Sequence, residues 1–287
     1  MTAQFYICMN GEFRKASEPS LFPNNRAFRY ADALYENMHA CATEPQFTIY
    51  HLERLFENMH LLSMEIPGYF SVDMLRQLIT QLLNKNRIFG GARIRLSVFR
   101  DTDEGYIPDQ DRISFILESQ RLEQDHYELN DRGLALDICT NFTKPAGPLS
   151  FVRNANALLY LLAGIDGRKN SLDGYILLNE EGRIVETVDS NIFLINGNSL
   201  FTPGIKQGCI PGVMRRVVIK LAGEAGYRIN DQSNLTPAAL DDAEEVFLTN
   251  AIDGIRWIGA YRQRRYYKKT AKLLSSRLNE LAFTKRT

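Results

Sequence analysis

The chain has 287 residues, enough for one large domain or two medium ones, each with its own buried core. Lysine plus arginine equals aspartate plus glutamate at 34 each, so the formal net charge is zero and no basic face argues for nucleic acid or an anionic membrane. No stretch approaches the roughly 20 apolar residues of a membrane span, and the short apolar run Phe5 to Met9 lacks the basic start of a signal peptide. A soluble, cytoplasmic protein is expected. Cys8, Cys41, Cys139 and Cys209 lie far apart, with no CxxC or Cys/His ligand spacing. They are expected as free thiols in a reducing compartment, with no metal site.

In chain order, the first fifth has the pattern of antiparallel sheet. Phe5–Met9 and Phe13–Lys15 flank an Asn10-Gly11 turn, the dipeptide that hairpin turns with positive φ prefer. Tyr35–Cys41 and Phe47–Tyr50 flank Thr43-Glu44-Pro45 as a second strand pair. The apolar period then changes: Leu52, Leu55, Phe56, Met59, Leu62 and Met64 mark a helix over His51–Met64. Ser71 and Asp73 start a second one, through Asn86. Strands at Ala92–Arg100 and Arg112–Glu118 close a first domain, set at residues 1–120.

Residues 121–133 lose apolar periodicity and are taken as the linker to a second domain over 134–287. There Leu134–Cys139 is expected as a strand and Asn154–Arg168 as a helix. Gly174–Leu178 pairs with Arg183–Glu186, and Asn191–Ile195 with Ser199–Thr202. Pro211 is placed at the first position of a helix through about Ala225. Strands Glu245–Thr249 and Ile255–Gly259 precede a closing helix over Lys268–Leu281. The fold class is α/β, or α+β in character.

Four segments carry polar or glycine-rich chemistry. Gly208 to Arg216, GCIPGVMRR, runs from a glycine-bounded loop into a helix, whose first amides can bind phosphate. In His51-Leu-Glu-Arg54, Arg54 is either a bidentate phosphate ligand or a solvated surface arginine. Glu186 to Phe193, ETVDSNIF, carries a carboxylate off one strand and opens the next with Asn191. Leu248 to Trp257, LTNAIDGIRW, is a small polar turn after an apolar strand.

Taken singly, each segment fits an ordinary loop or helix. Their order and spacing resemble the class IV aminotransferases, the fold-type IV pyridoxal-phosphate enzymes: branched-chain aminotransferase, D-amino-acid aminotransferase and aminodeoxychorismate lyase. The resemblance covers nearly the whole chain. It implies two α/β domains with the site in the cleft between them, in a homodimer acting on small amino or keto acids. By the same resemblance Arg54 holds the cofactor phosphate and Glu186 pairs with the pyridine nitrogen, keeping the ring an electron acceptor. Val213 and Met214 match helix-start residues whose backbone amides hold the phosphate, and Ala251 matches a further phosphate donor; the usual side-chain hydroxyls are missing at Met214 and Ala251, which leaves only their backbone donors. Tyr30, Tyr35 and Arg95 match residues on the substrate side.

The pattern breaks at its chemical centre. The family's Schiff-base lysine precedes an asparagine by three residues, and with Asn156 as that anchor the position holds Arg153. The aromatic after the asparagine is Ala157, and a glycine-flanked aspartate has become Ala31-Asp32-Ala33. A guanidinium with pKa above about 12 neither condenses with an aldehyde nor abstracts a proton at neutral pH. Pyridoxal phosphate remains a possible ligand, without covalent attachment at position 153. Three readings stand: a protein whose ordinary transamination is lost or altered, an enzyme using another amine such as Lys144, and a non-pyridoxal binding protein for a phosphorylated or carboxylate metabolite.

Overall fold

The computed structural model describes residues 5–18, 21–102 and 105–284. Contacts divide the chain into two units, one of residues 1–126 with 153–156, the other of residues 127–152 with 157–287.

The first unit comprises β1 (Tyr6–Met9), β2 (Glu12–Lys15), α1 (Arg26–Tyr30), β3 (Ala33–Cys41), β4 (Glu44–Pro45), α2 (Thr48–Leu61), α3 (Val72–Lys85), β5 (Ala92–Arg100) and β6 (Ile113–Arg121). Its six strands lie in the order β2-β1-β6-β5-β3-β4, every pair antiparallel. Asn10 and Gly11 both take positive φ, 50° and 91°, so the β1–β2 hairpin turns as its dipeptide predicts. Helix α3 starts at the expected serine, whose hydroxyl accepts the Met74 amide at 3.2 Å. Buried Leu52, Leu55 and Met59 of α2 and Leu75, Ile79 and Leu82 of α3 supply the helical side of the core, with Leu34, Met38, Ile94 and Leu96 from the sheet.

The second unit comprises β7 (Leu134–Thr143), α4 (Leu158–Lys169), β8 (Gly174–Leu178), β9 (Ile184–Thr187), β10 (Asn191–Asn196), β11 (Ser199–Pro203), α5 (Val213–Glu224), β12 (Arg228–Ser233), α6 (Ala238–Asp242), β13 (Glu245–Asn250), β14 (Gly254–Tyr261), β15 (Arg264–Arg265) and α7 (Lys269–Phe283). The sheet order is β12-β11-β10-β13-β14-β7-β8-β9, with β15 paired to β14. Three neighbouring pairs are parallel, β11–β12, β14–β7 and β7–β8. Leu136, Ile176, Ile192, Leu248 and Ile258 form one buried cluster on this sheet. The buried Glu245 carboxylate accepts the Thr270 and Ala271 amides at 2.8 and 3.3 Å, a negative charge at the start of α7 where the helix dipole favours it. Among the described residues, no helix is long and apolar enough to cross a membrane.

Four sequence expectations are corrected. Phe47–Tyr50 is not a strand: Phe47 takes φ 54°, and α2 begins at Thr48, three residues before the predicted start. Burial of Thr48 and His51 extends the inward face by a turn that apolar counting does not register. The Pro211 helix begins instead at Val213 with Gly212 as its cap. β7 runs on to Thr143, four residues past the predicted end. Most consequentially, the helix expected from Asn154 begins only at Leu158. Residues Arg153 to Ala155 are pulled off a helical path because their backbone pairs with β3: the Tyr35 amide donates to the Arg153 carbonyl at 3.1 Å, and the Ala155 amide to the Ala33 carbonyl at 2.9 Å.

Candidate functional site

In the first unit, Glu36 stands on the helix-covered face of β3, buried to 1 % exposure beside α2. Its carboxylate accepts Nε of Arg54 at 2.9 Å and Nη2 at 2.5 Å, and His51 Nδ1 lies 2.6 Å from the same group. Arg54 is thus a buried, bidentately paired arginine rather than a solvated one. Burial by itself raises the Glu36 carboxyl, but the Arg54 charge and the His51 hydrogen bond outweigh it and hold the group at about 2. Burial pushes His51 below the ordinary imidazole value against the pull of Glu36, and the Arg54 and Arg153 charges add to the depression. His51 is therefore neutral at pH 7, donating from Nδ1 to a charged carboxylate.

The opposite, half-buried face of β3 carries Tyr35 and Asn37. The Arg95 guanidinium lies 4.2 Å from the Tyr35 ring centroid, and that of Arg153 lies 4.7 Å from it. Arg95 reaches the ring because Asn37 and Arg95 are register partners, two residues along from Tyr35 and Ser97 and so on the same face. Arg153 reaches it through the backbone pairing with β3 that displaced the start of α4. Tyr30, at the end of α1, instead meets Arg26 at 5.0 Å and the Tyr106 ring at 5.0 Å. Asp32 is engaged by Arg26 and Arg100 at 2.8 and 3.1 Å. Beside it, Ala31 keeps φ at 54°, a left-handed backbone that glycine adopts without strain.

In the second unit, Glu186 of β9 is 3 % exposed and accepts three donors. One oxygen takes the Lys144 ammonium, itself 4 % exposed, and the Tyr160 hydroxyl at 2.7 Å. The other accepts the Ile210 amide at 2.8 Å. Asn191 then donates to the Ile210 carbonyl at 2.8 Å, so the glutamate and asparagine of one motif clamp both backbone groups of a residue in the other. The clamp explains Gly212: a Cβ there would stand 2.0 Å from Asn191 Oδ1. It also delivers the chain to the start of α5, where Val213 and Met214 are buried and their amides, in the first turn, have no acceptor within the helix. Ala251, half-buried in the turn after β13, offers its carbonyl to the Tyr127 hydroxyl at 3.4 Å.

Of the nine expected site residues, Tyr35, Arg95 and Arg153 form one cluster in the first unit, with Arg54 on the other face of the same strand. Glu186, Val213 and Met214 meet through the Ile210–Gly212 turn in the second. Sequence reasoning did not find Glu36, Tyr160 or Asn37. Ala157 follows the anchor asparagine, but an aromatic stands one helical turn on, at Tyr160, and a carboxylate mid-strand at Glu36 was a signal for a buried partner.

A family model for amino-transferase class IV matches residues 33–261. The chain is 26% identical over 249 residues to aminodeoxychorismate lyase of Bacillus subtilis, covering 86% of this chain and 83% of that protein. It is 25% identical over 279 residues to branched-chain-amino-acid aminotransferase of Escherichia coli K12, covering 88% and 86%. The structure of branched-chain amino acid aminotransferase from Thermobaculum terrenum in its PLP-form superposes with a TM-score of 0.82 over 98% of this chain and 94% of that one, at 20% identity. The ordered motifs, the mixed α+β fold and the match across both units agree: the chain belongs to the class IV aminotransferase family, whose cofactor is pyridoxal phosphate.

Proposed function

We propose that this chain is a class IV aminotransferase-like protein in which ordinary transamination is lost or altered, because Arg153 stands where the family keeps its Schiff-base lysine. The observation that carries the reading is the fate of Arg153: its backbone is tied to β3 and its side chain to the Tyr35 ring. No guanidinium supplies the amine that the reaction requires.

Bound pyridoxal phosphate supplies an electron sink to its enzymes. The residues here do not fit that group in the family's manner. Its ring nitrogen needs a carboxylate, and Glu186, with Lys144 and Tyr160 on one oxygen and the Ile210 amide alone on the other, keeps an acceptor position, so the carboxylate is not what fails. Its attachment needs a neutral amine, and the one buried lysine among the described residues, Lys144, is ion-paired to that same glutamate. Lys144 acts here as the buried counter-charge of Glu186, whose other oxygen holds the Ile210–Gly212 turn. The reading that Lys144 replaces the missing amine would require it to leave Glu186. The same proposal carries a cytoplasmic homodimer, whose dimeric state light scattering on the purified protein tests.

The test is absorbance of the purified protein with added pyridoxal phosphate, followed by borohydride reduction and peptide mapping. No reducible adduct is expected on the wild type, and an Arg153→Lys variant is expected to regain one at position 153. An adduct on Lys144, or transamination by the wild type at rates ordinary for enzymes, overturns the reading.

A further inference from the structure

The zero net charge averages away a local asymmetry in the second unit. No aspartate or glutamate stands between Asp253 and Glu280, while Arg262, Arg264, Arg265, Lys268, Lys269 and Lys272 crowd into the middle of that stretch. All six are exposed. They run from the β14–β15 turn, through an extended segment, onto the first turn of α7, and so build a basic face that the overall charge does not predict. The backbone between them is fixed. The Tyr266 amide donates to the Gly259 carbonyl at 3.2 Å, the Tyr266 hydroxyl to the Leu240 carbonyl at 2.7 Å, and the Tyr267 amide to the Glu244 carbonyl at 3.1 Å. Asp137 takes Arg262 at 2.9 Å, and Glu245 is spent on the start of α7. Among the described residues the other five cations have no ion pair, with Asp241 and Glu244 included as possible partners. Tyr267, two positions from Arg265 on extended backbone and so on the same side, is 75 % exposed and meets no other ring among the described residues.

We infer that this strip binds single-stranded nucleic acid, with phosphates on the cations and a base stacked on Tyr267. The inference uses none of the residues of the aminotransferase site and stands whether or not transamination is lost. From Arg264 to Lys268 the extended chain covers roughly 13 Å, about four nucleotides at the roughly 3.4 Å rise of a stacked strand. An exposed ring beside unpaired arginines suits an unpaired base, whose π-face is free, whereas a duplex buries its base faces. An acidic peptide would use the charges and leave the ring idle. An anionic bilayer needs an inserted apolar face, and over residues 262–276 the exposed large hydrophobics are Tyr267 and Leu273 alone. The strip also carries its own reporter: Lys268 Nζ lies 5.0 Å from the ring centroid of Trp257, the single tryptophan of the chain.

The experiment is fluorescence anisotropy of the full chain with labelled oligo(U) and oligo(dT) of about 20 nucleotides, repeated from about 50 to about 200 mM salt. Trp257 emission recorded alongside places the strand beside Lys268. Five unpaired cations predict a slope of log affinity on log salt of about −3.5, a roughly hundredfold loss over that range. The triple variant Arg265→Gln, Lys269→Gln, Lys272→Gln is expected to bring the slope to about −1.4. Tyr267→Ala is expected to weaken binding about tenfold with the slope unchanged, and Tyr267→Phe to bind like wild type. Circular dichroism on each variant separates loss of the site from loss of the fold. Binding of either strand with these slopes supports the inference, and a preference between the two names the source. Absence of binding to the folded wild type at the lowest salt overturns it. So does equal competition, at matched charge, by polyglutamate, a duplex or phosphatidylserine vesicles, and so does a Tyr267→Ala variant that binds like wild type.

Discussion

Replacing Glu36 by glutamine removes the carboxylate that pairs with Arg54 while leaving the shape of the side chain intact. Arg54 is 8 % exposed and Glu36 1 %, so water cannot substitute for the lost carboxylate. Two routes give the magnitude. Breaking one side of a buried ion pair typically costs about 3–5 kcal/mol. Independently, the carboxyl held at about 2 instead of the ordinary 4.5 corresponds to roughly 3 kcal/mol of folding stability. For a chain of this size that is a fall in Tm of roughly 6 °C or more at pH 7.

The pH dependence has a definite sign. A carboxylate depressed on folding contributes fully above its unfolded value, and the contribution is lost as pH falls through the folded value. The gap in stability between wild type and Glu36→Gln should therefore be constant above about pH 4.5 and close as pH falls toward about 2. His51, depressed on folding, adds its own loss of stability as pH falls below its ordinary 6.5, in both proteins. Thermal unfolding followed by circular dichroism from pH 7 to 3 measures both quantities. A loss under about 2 °C at pH 7, or a gap that ignores pH, would refute the account of Glu36 as a charged partner of Arg54 and His51.

Three further outcomes follow from the second unit and the thiols. Gly212→Ala should cost about 1–3 kcal/mol, since its Cβ would meet Asn191 Oδ1 at 2.0 Å, while Gly223→Ala, inside α5 with only Ile229 at 3.8 Å, should be neutral or stabilising; equal thermal shifts would discredit the clamp. Lys144→Met should destabilise by about 3 kcal/mol because it strands a buried carboxylate, and adding Glu186→Gln should recover part of that loss, so a double variant worse than both singles in thermal melts counts against the pair. Cys8, Cys139 and Cys209 are buried, and burial, aided by the Glu186 charge, pushes the Cys209 thiol up to about 12. Ellman's reagent at pH 8 should therefore reach only the half-buried Cys41 before denaturant is added, and native labelling of Cys209 would contradict its placement.

Local chemistry made much of the fold readable in the residues themselves. The Asn10-Gly11 turn, the Ser71 cap and the apolar period of α3 act over a few residues, and the structure follows them. The order of HLER, ETVDSNIF, IPG and LTNA was enough to indicate the family, because each motif depends on its own turn or helix start. That residue 153 is an arginine was likewise plain in the sequence.

What that arginine touches was decided by tertiary structure. Residues 153–155 look like the first turn of a helix until β3, far earlier in the chain, takes their hydrogen bonds. Arg54 looks like a surface residue until Glu36 and His51 enclose it. Lys144 meets Glu186 across 42 positions, and nothing in the intervening sequence specifies the meeting. Hydrogen bonds within a turn are set by neighbouring dihedral angles, whereas the pairing of buried charges depends on which strands the whole chain brings together.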